Sequence, residues 1–517
     1  MARTLLSLLL CVLLSTATLA APAASGSAAA AGPSTVEAAR TSSVKAASTS
    51  AAALGSVSSA QATGSSTADA AGTSSVEATG SSTIEATGSA TAEAAGASTV
   101  EADAPRETVP LASDNPNDIL WLPDTNIIPE PIRGSLGANI LGPQNIEIDR
   151  QNADLLAPPT TDSGSVQNAK WPFGLSHNRL QTGGWARQQN QDVMPIANSM
   201  AGVNMRLEPG AIRELHWHKT AELFLQWAYM LSGSAQVTAV DADGRNFIGN
   251  VRQGDLWYFP PGIPHSIQAT NETGEGTEFL LVFDDGAFSE DSTFLLTDWL
   301  AHVPKEVIAK NFQTSISAFD HIPAQQLYIF PNPPPENQAA PKSPQGTIPN
   351  PFIFQLSQVK ATQLSGGTVK IIDSTTFTAA TAISASEITV EPGAMRELHW
   401  HPTQDEWTFY ISGQGRLTLF ASSGNARTFD YEAGDVGFVP ASFGHFVENT
   451  GNTTLHFLEI FNSGRVQDIS LSQWLALTPP DLVKAHLQLS DDTLKKLTKF
   501  ETKQIVVGPE SSSSSDS

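Results

Sequence analysis

An eleven-residue string occurs twice in the chain, and this repeat constrains the fold more than any other feature. EPGAIRELHWH at 208–218 matches EPGAMRELHWH at 391–401 with one difference. GDLWYFPPGIPH at 254–265 matches GDVGFVPASFGH at 434–445 in the same order. Segments that recur in the same order and at similar separation predict two tandem copies of one domain.

The segments around the repeats favour β-structure. Short apolar runs such as TEFLLVF at 277–283 and LHFLEIF at 455–461 are broken by Gly, Pro and Asp, which is typical of an all-β barrel or sandwich. Helical patterns are found mainly near 292–310 and 470–500, after each set of predicted strands. We therefore predict an all-β protein with short flanking helices.

The N-terminal part predicts secretion and disorder. Residues 1–20 combine a basic residue, an apolar run and small residues near Ala20, as in a secretory signal peptide. Residues 21–105 are rich in Ser, Ala and Thr and contain an eight-residue repeat marked by glycines. Without aromatic residues they cannot bury enough surface to fold, so we predict a disordered segment. The expected location is extracellular or in the cell wall.

Composition divides the rest of the chain. The predicted parts are an extended arm at 106–170, a first domain at 171–326, a linker at 327–344, a second domain at 345–505 and a disordered tail at 506–517.

Charge and cysteine content exclude several functions. The net charge of −24 argues against a nucleic-acid partner, which requires a basic surface. The C-terminal ESSSSSDS has no apolar stretch, and no membrane partner is expected. The one cysteine, Cys11, lies in the predicted signal peptide, which excludes thiolate chemistry from the mature chain.

Each copy contains a His-x-His pair, a carboxylate a few residues later and a third histidine after a Gly-Asp turn. Side chains two apart on a strand point to the same side, so each pair should face one interior. Three imidazoles and a carboxylate suit Mn, Fe, Zn, Cu or Ni. The predicted metal ligands are His216, His218, Glu222 and His265 in the first copy, and His399, His401, Glu406 and His445 in the second.

These residues resemble the cupin double motif, and residues 125–505 resemble the bicupin oxalate decarboxylases. RELHWHK, GDLWYFPPGIPHSIQA and DDGAFSEDSTFLLTDWLA are similar to segments of that group. Two positions depart from the motif, since Ser442 replaces a glycine and Ala269 replaces an asparagine. The resemblance implies two jelly-roll (double-stranded β-helix) domains, one Mn²⁺ in each, and a requirement for dioxygen. It also implies conversion of oxalate to formate and carbon dioxide, and a homo-oligomer, a trimer or a hexamer.

The resemblance assigns roles to four further residues. Arg213 and Arg396 each lie three positions before a predicted ligand and would polarise the substrate, although a salt bridge with the following glutamate is an alternative. The stretch SEDS at 289–292 reads as a lid, on which Glu290 would donate a proton. Glu459 would lie beside the second metal. The first copy is then the main catalytic site.

The first copy contains four extra residues, LFLQ at 223–226. Ten residues separate Glu222 from Gly233, whereas six separate Glu406 from Gly413. Because four is even, the alternation of the strand survives the insertion. We expect a bulge that leaves Glu222 as the ligand. The alternative is a slide of the strand that brings Gln226 to the ligand position.

Three other functions remain open on the sequence, of which a bicupin dioxygenase or isomerase for another substrate is not expected to have both the lid and the arginine. An oxalate oxidase would use the same fold and metal but produce hydrogen peroxide, and the lid argues against it. A non-enzymatic storage bicupin would not be expected to keep both histidine sets. Two glycosylation sequons, at Asn271 and Asn452, follow the last histidine of their domains.

Overall fold

A computed structural model describes residues 127–218, 226–336 and 340–509. The predicted signal peptide, the predicted disordered segment and the start of the arm lie outside the described residues, as do Glu222 and residues 510–517. Within the described ranges, no helix is long and apolar enough to cross a membrane.

The described part of the arm contains two short helices in addition to extended chain. Asn145 begins the first helix by accepting a hydrogen bond from the Ile148 N–H, as a helix N-cap does. The elements of the arm are β1 Ile132–Arg133, β2 Leu136–Gly137, α1 Ile146–Gln151 and α2 Ala153–Leu156.

The first repeat is made mainly of strands. Its elements are β3 Lys170–Pro172, β4 Arg179–Gln181, β5 Gly184–Gln189, β6 Ala201–Leu207, β7 Ile212–Trp217, β8 Gln226–Val240, β9 Asn246–Arg252, β10 Leu256–Phe259, β11 His265–Ala269, β12 Thr277–Phe283, β13 Phe294–Leu295, α3 Leu296–Ala301, α4 Lys305–Phe312 and β14 Ile329–Phe330.

The second repeat follows the same order. Its elements are β15 Ile353–Phe354, β16 Thr362–Leu364, β17 Gly367–Ile372, β18 Ser384–Val390, β19 Met395–Trp400, β20 Glu406–Ser412, β21 Gln414–Phe420, β22 Ala426–Glu432, β23 Asp435–Val439, β24 His445–Asn449, β25 Leu455–Phe461, β26 Ile469–Ser470, α5 Leu471–Ala476, α6 Pro480–Leu487, α7 Asp491–Leu497 and β27 Val506–Val507.

The strands of the second repeat form two facing antiparallel sheets. One has the order β16-β17-β18-β25-β20-β23-β3 and the other the order β22-β21-β24-β19-β26. In the first repeat the equivalent sheets are joined, because the long strand β8 pairs with β12 and β10 at its start and with β11 and β9 at its end. The prediction of two tandem all-β domains with short flanking helices is confirmed.

Each repeat supplies an edge strand to the other. Strand β3 pairs with β23 of the second repeat, through Trp171 and Val436, while β15 pairs with β10 of the first, through Phe354 and Leu256. This exchange ties the two sandwiches together by backbone hydrogen bonds.

Strand β12 shows why the strands read as continuous apolar runs. Phe279, Leu281 and Phe283 point into the interior of the first repeat, whereas Leu280 and Val282 pack in a second core shared with the other repeat. Both faces of the strand are buried, so strict alternation is lost. Burying a side chain of this size stabilises the fold by about 1.5–3 kcal/mol.

Two of the predicted boundaries are corrected by strand pairing. Within the predicted linker, β14 pairs with Ile212 and Arg213 of β7. At the start of the predicted tail, β27 pairs with Met395 and Arg396 of β19. Both short strands close the sheet that carries the histidine pair, which explains why they are ordered although their flanks are rich in proline or serine.

Candidate active site

The first centre is formed where β7 and β11 meet. His216 and His218 lie on the same face of the chain at the end of β7, and His265 begins β11 directly opposite His216. One nitrogen of each of the three imidazoles lies within 4.8 Å of the others. The backbone carbonyls of Glu214 and Ile263 lie 2.5 and 2.8 Å from Nδ1 of His216 and His265. These contacts place the proton on Nδ1 and leave Nε2 free for an ion.

The second centre contains all four of its predicted ligands. His399, His401, Glu406 and His445 are buried, and their donor atoms lie within 4.8 Å of one another. The Nδ1 atoms of the three histidines lie 2.7–2.9 Å from backbone carbonyls, which for His401 is that of Gln467. Glu406 Oε2 lies 2.8 Å from His401 Nε2 and 3.3 Å from His445 Nε2.

The protonation states suit a metal ion at both centres. Burial lowers the pKa of the three imidazoles of the first centre, that of His265 to about 3, and it also lowers the pKa of His399 and His445. Burial alone would raise the pKa of Glu406, but its contacts with His401 and His445 outweigh this and lower it. Neutral imidazoles and an ionised carboxylate are the forms that bind metals.

The donor atoms also fit an ion by their spacing and their lack of partners. Nε2 of His265 and of His399 is buried without a hydrogen-bond partner among the described residues, and Glu406 Oε2 has only the close Nε2 atoms of His401 and His445 beside it. An ion with ligand bonds of about 2.1 Å holds adjacent donors about 3 Å apart, close to the separations at Glu406. Buried polar atoms left without partners are costly, and an ion would satisfy them together.

The first centre differs from the second at the fourth position. The structure places Gln226 in register with Glu406: Gln226 pairs with Phe259 and Phe283, and Glu406 pairs with the equivalent residues of the second repeat. The expected bulge with Glu222 as ligand falls outside the described residues and stays a prediction. Sequence reasoning allowed both outcomes, because the even insertion preserves alternation in either case.

A buried ion pair connects the predicted lid to the first centre. Arg213 Nη2 donates to Glu290 Oε2 at 3.1 Å, and both side chains are buried. The hydroxyl of Tyr328 donates to the same oxygen at 2.6 Å. The other carboxyl oxygen, Oε1, has no partner among the described residues. The salt bridge of Arg213 is therefore with the lid and not with the adjacent Glu214.

Glu214 instead anchors the backbone around the site. Its Oε1 accepts from the N–H and hydroxyl of Thr297, and its Oε2 accepts from the N–H groups of Leu327 and Tyr328. These bonds fix the segment that carries the Tyr328 hydroxyl. Sequence reasoning missed Tyr328 because it lies in the predicted linker, 38 residues from its partner Glu290.

The outer side of the lid faces a cleft of about 430 Å³. Glu290, Asp291, Tyr328 and Arg179 are among its lining residues, and none of the three imidazoles is. Arg179 Nη1 contacts Asp291 Oδ1 at 3.1 Å, and its guanidinium stacks 3.6 Å from the Tyr328 ring centroid. Residues 290–292 form a 3₁₀ turn, and its first residue, Glu290, both lines the cleft and bonds to Arg213.

The second centre has a different arginine environment. Arg396 Nε contacts Glu459 Oε1 at 3.1 Å, and Arg396 Nη2 contacts Asp468 Oδ2 at 2.6 Å. Glu459 lies two residues after Phe457 on β25 and so shares the face that points into the second repeat, where burial raises its pKa. Sequence reasoning found Glu459 but missed Asp468, although its place directly before β26 was visible from the repeat.

Comparison with known proteins agrees with this geometry. The family model described as Cupin matches residues 176–318 and 354–495, which confirms the predicted pair of cupin domains. Oxalate decarboxylase OxdC of Bacillus subtilis is 55% identical over 376 residues, covering 72% of this chain and 96% of the relative. A probable oxalate decarboxylase of Arthroderma benhamiae is 38% identical over 397 residues, covering 75% and 95%.

Solved structures give the same result. A structure of Bacillus subtilis oxalate decarboxylase, determined in work on its Mn(II) centres, is 53% identical to this chain with a TM-score of 0.71. The matched region covers 74% of this chain and all of the solved chain. A second structure, of a variant altered at SENS161-164, matches with 52% identity and the same TM-score.

Proposed function

Because the chain belongs to the two-domain oxalate decarboxylases of the cupin family, we propose that it converts oxalate to formate and carbon dioxide using manganese and dioxygen. The two clusters of buried donor atoms support metal binding, and the Mn(II) centres of the Bacillus subtilis enzyme support the choice of manganese. When bound, the ion and dioxygen would supply the one-electron oxidation that eases the loss of carbon dioxide from a dianion.

The first task of the chain itself is to bind the dianion, and Arg213 is suited to it. Its guanidinium is buried, lies on the strand that carries His216, and has an Nε without a partner among the described residues. A charge-assisted hydrogen bond to a carboxylate in such a site is stronger than one in water. Arg213 would therefore orient oxalate beside the imidazoles.

The second task is to deliver the proton that completes formate, and Glu290 is the proposed donor. Its Oε2 already accepts from Arg213 and Tyr328, so a proton carried by the carboxyl group belongs on Oε1. That oxygen is buried and has no partner among the described residues. A positioned general acid of this kind contributes roughly 10²–10⁴-fold to a rate.

The third task is to exclude water, which the lid would perform. Glu290 is bonded to Arg213, and the cleft that it lines contains none of the three imidazoles, so we infer that residues 290–292 close the first centre off from the cleft. Oxalate must pass this segment to reach the imidazoles, so the segment must open and close during turnover. Closure also brings the proton donor to the site.

The second centre is proposed to have a structural or electron-transfer role. Arg396 is held by Glu459 and Asp468, two carboxylates supplied by the protein itself. Among the residues that the structure describes, Arg213 has one such partner, and that partner is on the lid. The first centre is thus the one whose arginine can exchange a protein carboxylate for a substrate carboxylate.

The observation that carries the proposal is the Glu290–Arg213 pair beside three converging imidazoles. The test is to measure formate, carbon dioxide and hydrogen peroxide from oxalate with the manganese-loaded protein. We expect about one formate for each oxalate consumed. Peroxide as the main product would favour the oxidase alternative, and no consumption of oxalate would reject both.

Secretion, glycosylation and assembly complete the proposal. The sequons at Asn271 and Asn452 lie in exposed bends after β11 and β24, where a glycan has room. The signal peptide predicts an extracellular enzyme, and the family resemblance predicts a trimer or a hexamer. Mass spectrometry of the secreted protein and light scattering test these two points.

A further inference from the structure

Gln226 holds a place in the first repeat that the second repeat gives to a metal ligand. Trp227 follows Gln226, and Trp407 follows Glu406. Both tryptophans are fully buried in the core between the repeats, which shows that the two strands are in the same register. Gln226 then pairs with Phe283 as Glu406 pairs with Phe461. The two side chains must therefore emerge on the same face, toward the imidazoles of their own repeat.

The surroundings of Gln226 lack the partners that a buried amide needs. Its side chain is 1% exposed, and neither its amide oxygen nor its amide nitrogen has a hydrogen-bond partner among the described residues. It lies beside His218, another side chain without a hydrogen-bond partner among the described residues. A buried amide oxygen next to converging imidazoles is suited to bind an ion.

Strand pairing argues that Gln226 does not leave this position. Strands β10 and β12 flank it on both sides through Phe259 and Phe283. Withdrawal of Gln226 would break the start of both ladders, leaving backbone groups to find new partners. A carboxylate from another part of the chain could occupy the position only if these backbone hydrogen bonds were first broken.

The change from carboxylate to amide alters the charge that an ion meets. At the second centre, the ionised Glu406 touches two of the imidazoles. At the first centre the described donors are neutral, and the charge of Arg213 is balanced by Glu290. A divalent ion binds more weakly where no negative ligand offsets its charge.

The first centre also has a less firmly held histidine. Nδ1 of His401 lies 2.8 Å from the Gln467 carbonyl, whereas neither ring nitrogen of His218 has a partner among the described residues. Loss of such an orienting contact typically lowers metal affinity by roughly 10–100-fold. The missing contact at His218 and the missing carboxylate charge should therefore both weaken metal binding at the first centre.

From these observations we propose that Gln226, through its amide oxygen, is the fourth protein ligand of the first centre, and that this centre binds divalent ions more weakly than the second. The proposal rests on the proposed function only in taking both centres to hold a metal ion. Its consequence is ordered loading, in which the second centre fills first and the first centre responds to the supply of metal.

The test measures metal binding without turnover. Metal-free full-length protein is titrated with Mn²⁺, and free Mn²⁺ is followed by electron paramagnetic resonance. We expect two classes of site, one ion each, with dissociation constants that differ by at least about 10-fold. A His399→Ala/His401→Ala variant, which removes the second centre, should retain only the weaker class.

Three substitutions then separate Gln226 from Glu222. In the variant without the second centre, Gln226→Glu should tighten the remaining site by at least about 10-fold, and Glu222→Gln should leave it unchanged. The matched change Glu406→Gln, made in the otherwise unaltered protein, should weaken the tight class. Circular dichroism of each metal-free variant checks that it is folded.

Two results would overturn the proposal. One is loss of the weak site in Glu222→Gln, and the other is unchanged affinity in a folded Gln226→Glu variant. Deletion of 223–226 gives a second way to place a glutamate directly before Trp227, and it should tighten the site as Gln226→Glu does. Because no step involves oxalate, failure here leaves the proposed reaction untouched, and absence of formate leaves the ligand assignment untouched.

Discussion

Tyr328 and Ile505 occupy the same place in the two repeats. Both have a left-handed backbone, with φ values of 58° and 62°. Each carbonyl accepts a 2.9 Å hydrogen bond from the glutamate N–H that precedes the histidine pair, Glu214 in one repeat and Glu397 in the other. This conformation is unfavourable for residues other than glycine, and in both repeats the short strands β14 and β27 hold it in place. Only the first repeat has a hydroxyl there, which donates to the lid.

Tyr328→Phe removes this hydroxyl and should make the closed position of the lid less stable. Burial and the neighbouring Glu290 raise the pKa of Tyr328, so the hydroxyl stays protonated and remains a donor. A hydrogen bond to a charged group is worth about 1.5–3 kcal/mol. We expect roughly 10-fold more peroxide relative to formate, because the closed lid is less populated and the proton donor is less well placed.

A matched control is available in the core between the repeats. Tyr229 also donates to a glutamate, Glu387, at 3.1 Å, but it lies on the face of β8 that points away from the first centre, into the core between the repeats. Tyr229→Phe should lower thermal stability and leave the ratio of formate to peroxide unchanged. An equal change in product ratio in both variants would mean that the Tyr328 hydroxyl acts only on stability.

The sequence predicts much of this site for identifiable physical reasons. Convergence of His216, His218 and His265 follows from strand alternation and a repeated motif. Tyr328 could not be found in this way, because its contact with Glu290 depends on how β14 closes the sheet. The sequence could not decide whether Gln226 or Glu222 takes the fourth position. An insertion of four residues leaves the inward and outward order of side chains unchanged, so only the pairing of β8 with its neighbours fixes the register.

The pair formed by Arg179 and Asp291 should control the approach of the dianion. It is an exposed ion pair, so its contribution to stability is about 0–1 kcal/mol. Asp291→Asn leaves the Arg179 charge unpaired at the cleft, and the KM for oxalate should fall by about 2–5-fold at low salt. Arg179→Gln leaves Asp291 unpaired, and KM should rise.

Both shifts in KM should become smaller in roughly 0.5 M salt, because salt at this concentration screens exposed charges. Initial rates at several oxalate concentrations give the KM values. Shifts of KM in the same direction for the two variants would show that lid mobility, and not charge, is what the pair controls.

The arm should make the fold more stable in acid. Burial, with a smaller contribution from the charge of Asp430, raises the pKa of Asp154 on α2 to about 7, against a usual value of 3.8. The cations Lys170 and Arg427 oppose this rise in pKa, and Arg416 also interacts electrostatically with Asp154. The folded state thus binds a proton that the unfolded state has lost, so stability should decline as pH rises from about 4 to about 7.

Thermal unfolding between pH 4 and pH 8 tests this dependence. Asp154→Asn cannot ionise, so it should flatten the decline and raise the melting temperature most near pH 7. Glu147→Gln, an exposed change on the neighbouring helix α1, should follow the unmodified protein at every pH. A decline of unchanged size in Asp154→Asn would assign the effect to another group.

The most direct measurement of the whole account is the product distribution of Glu290→Gln. This variant keeps a side chain of the same size beside Arg213 but cannot supply a proton. With manganese loading verified, we expect oxalate to be consumed with the formate rate reduced by roughly 10²-fold or more, and carbon dioxide and peroxide to become the main products. Undiminished formate production by Glu290→Gln would contradict the assignment of the lid glutamate as the proton donor at the first centre.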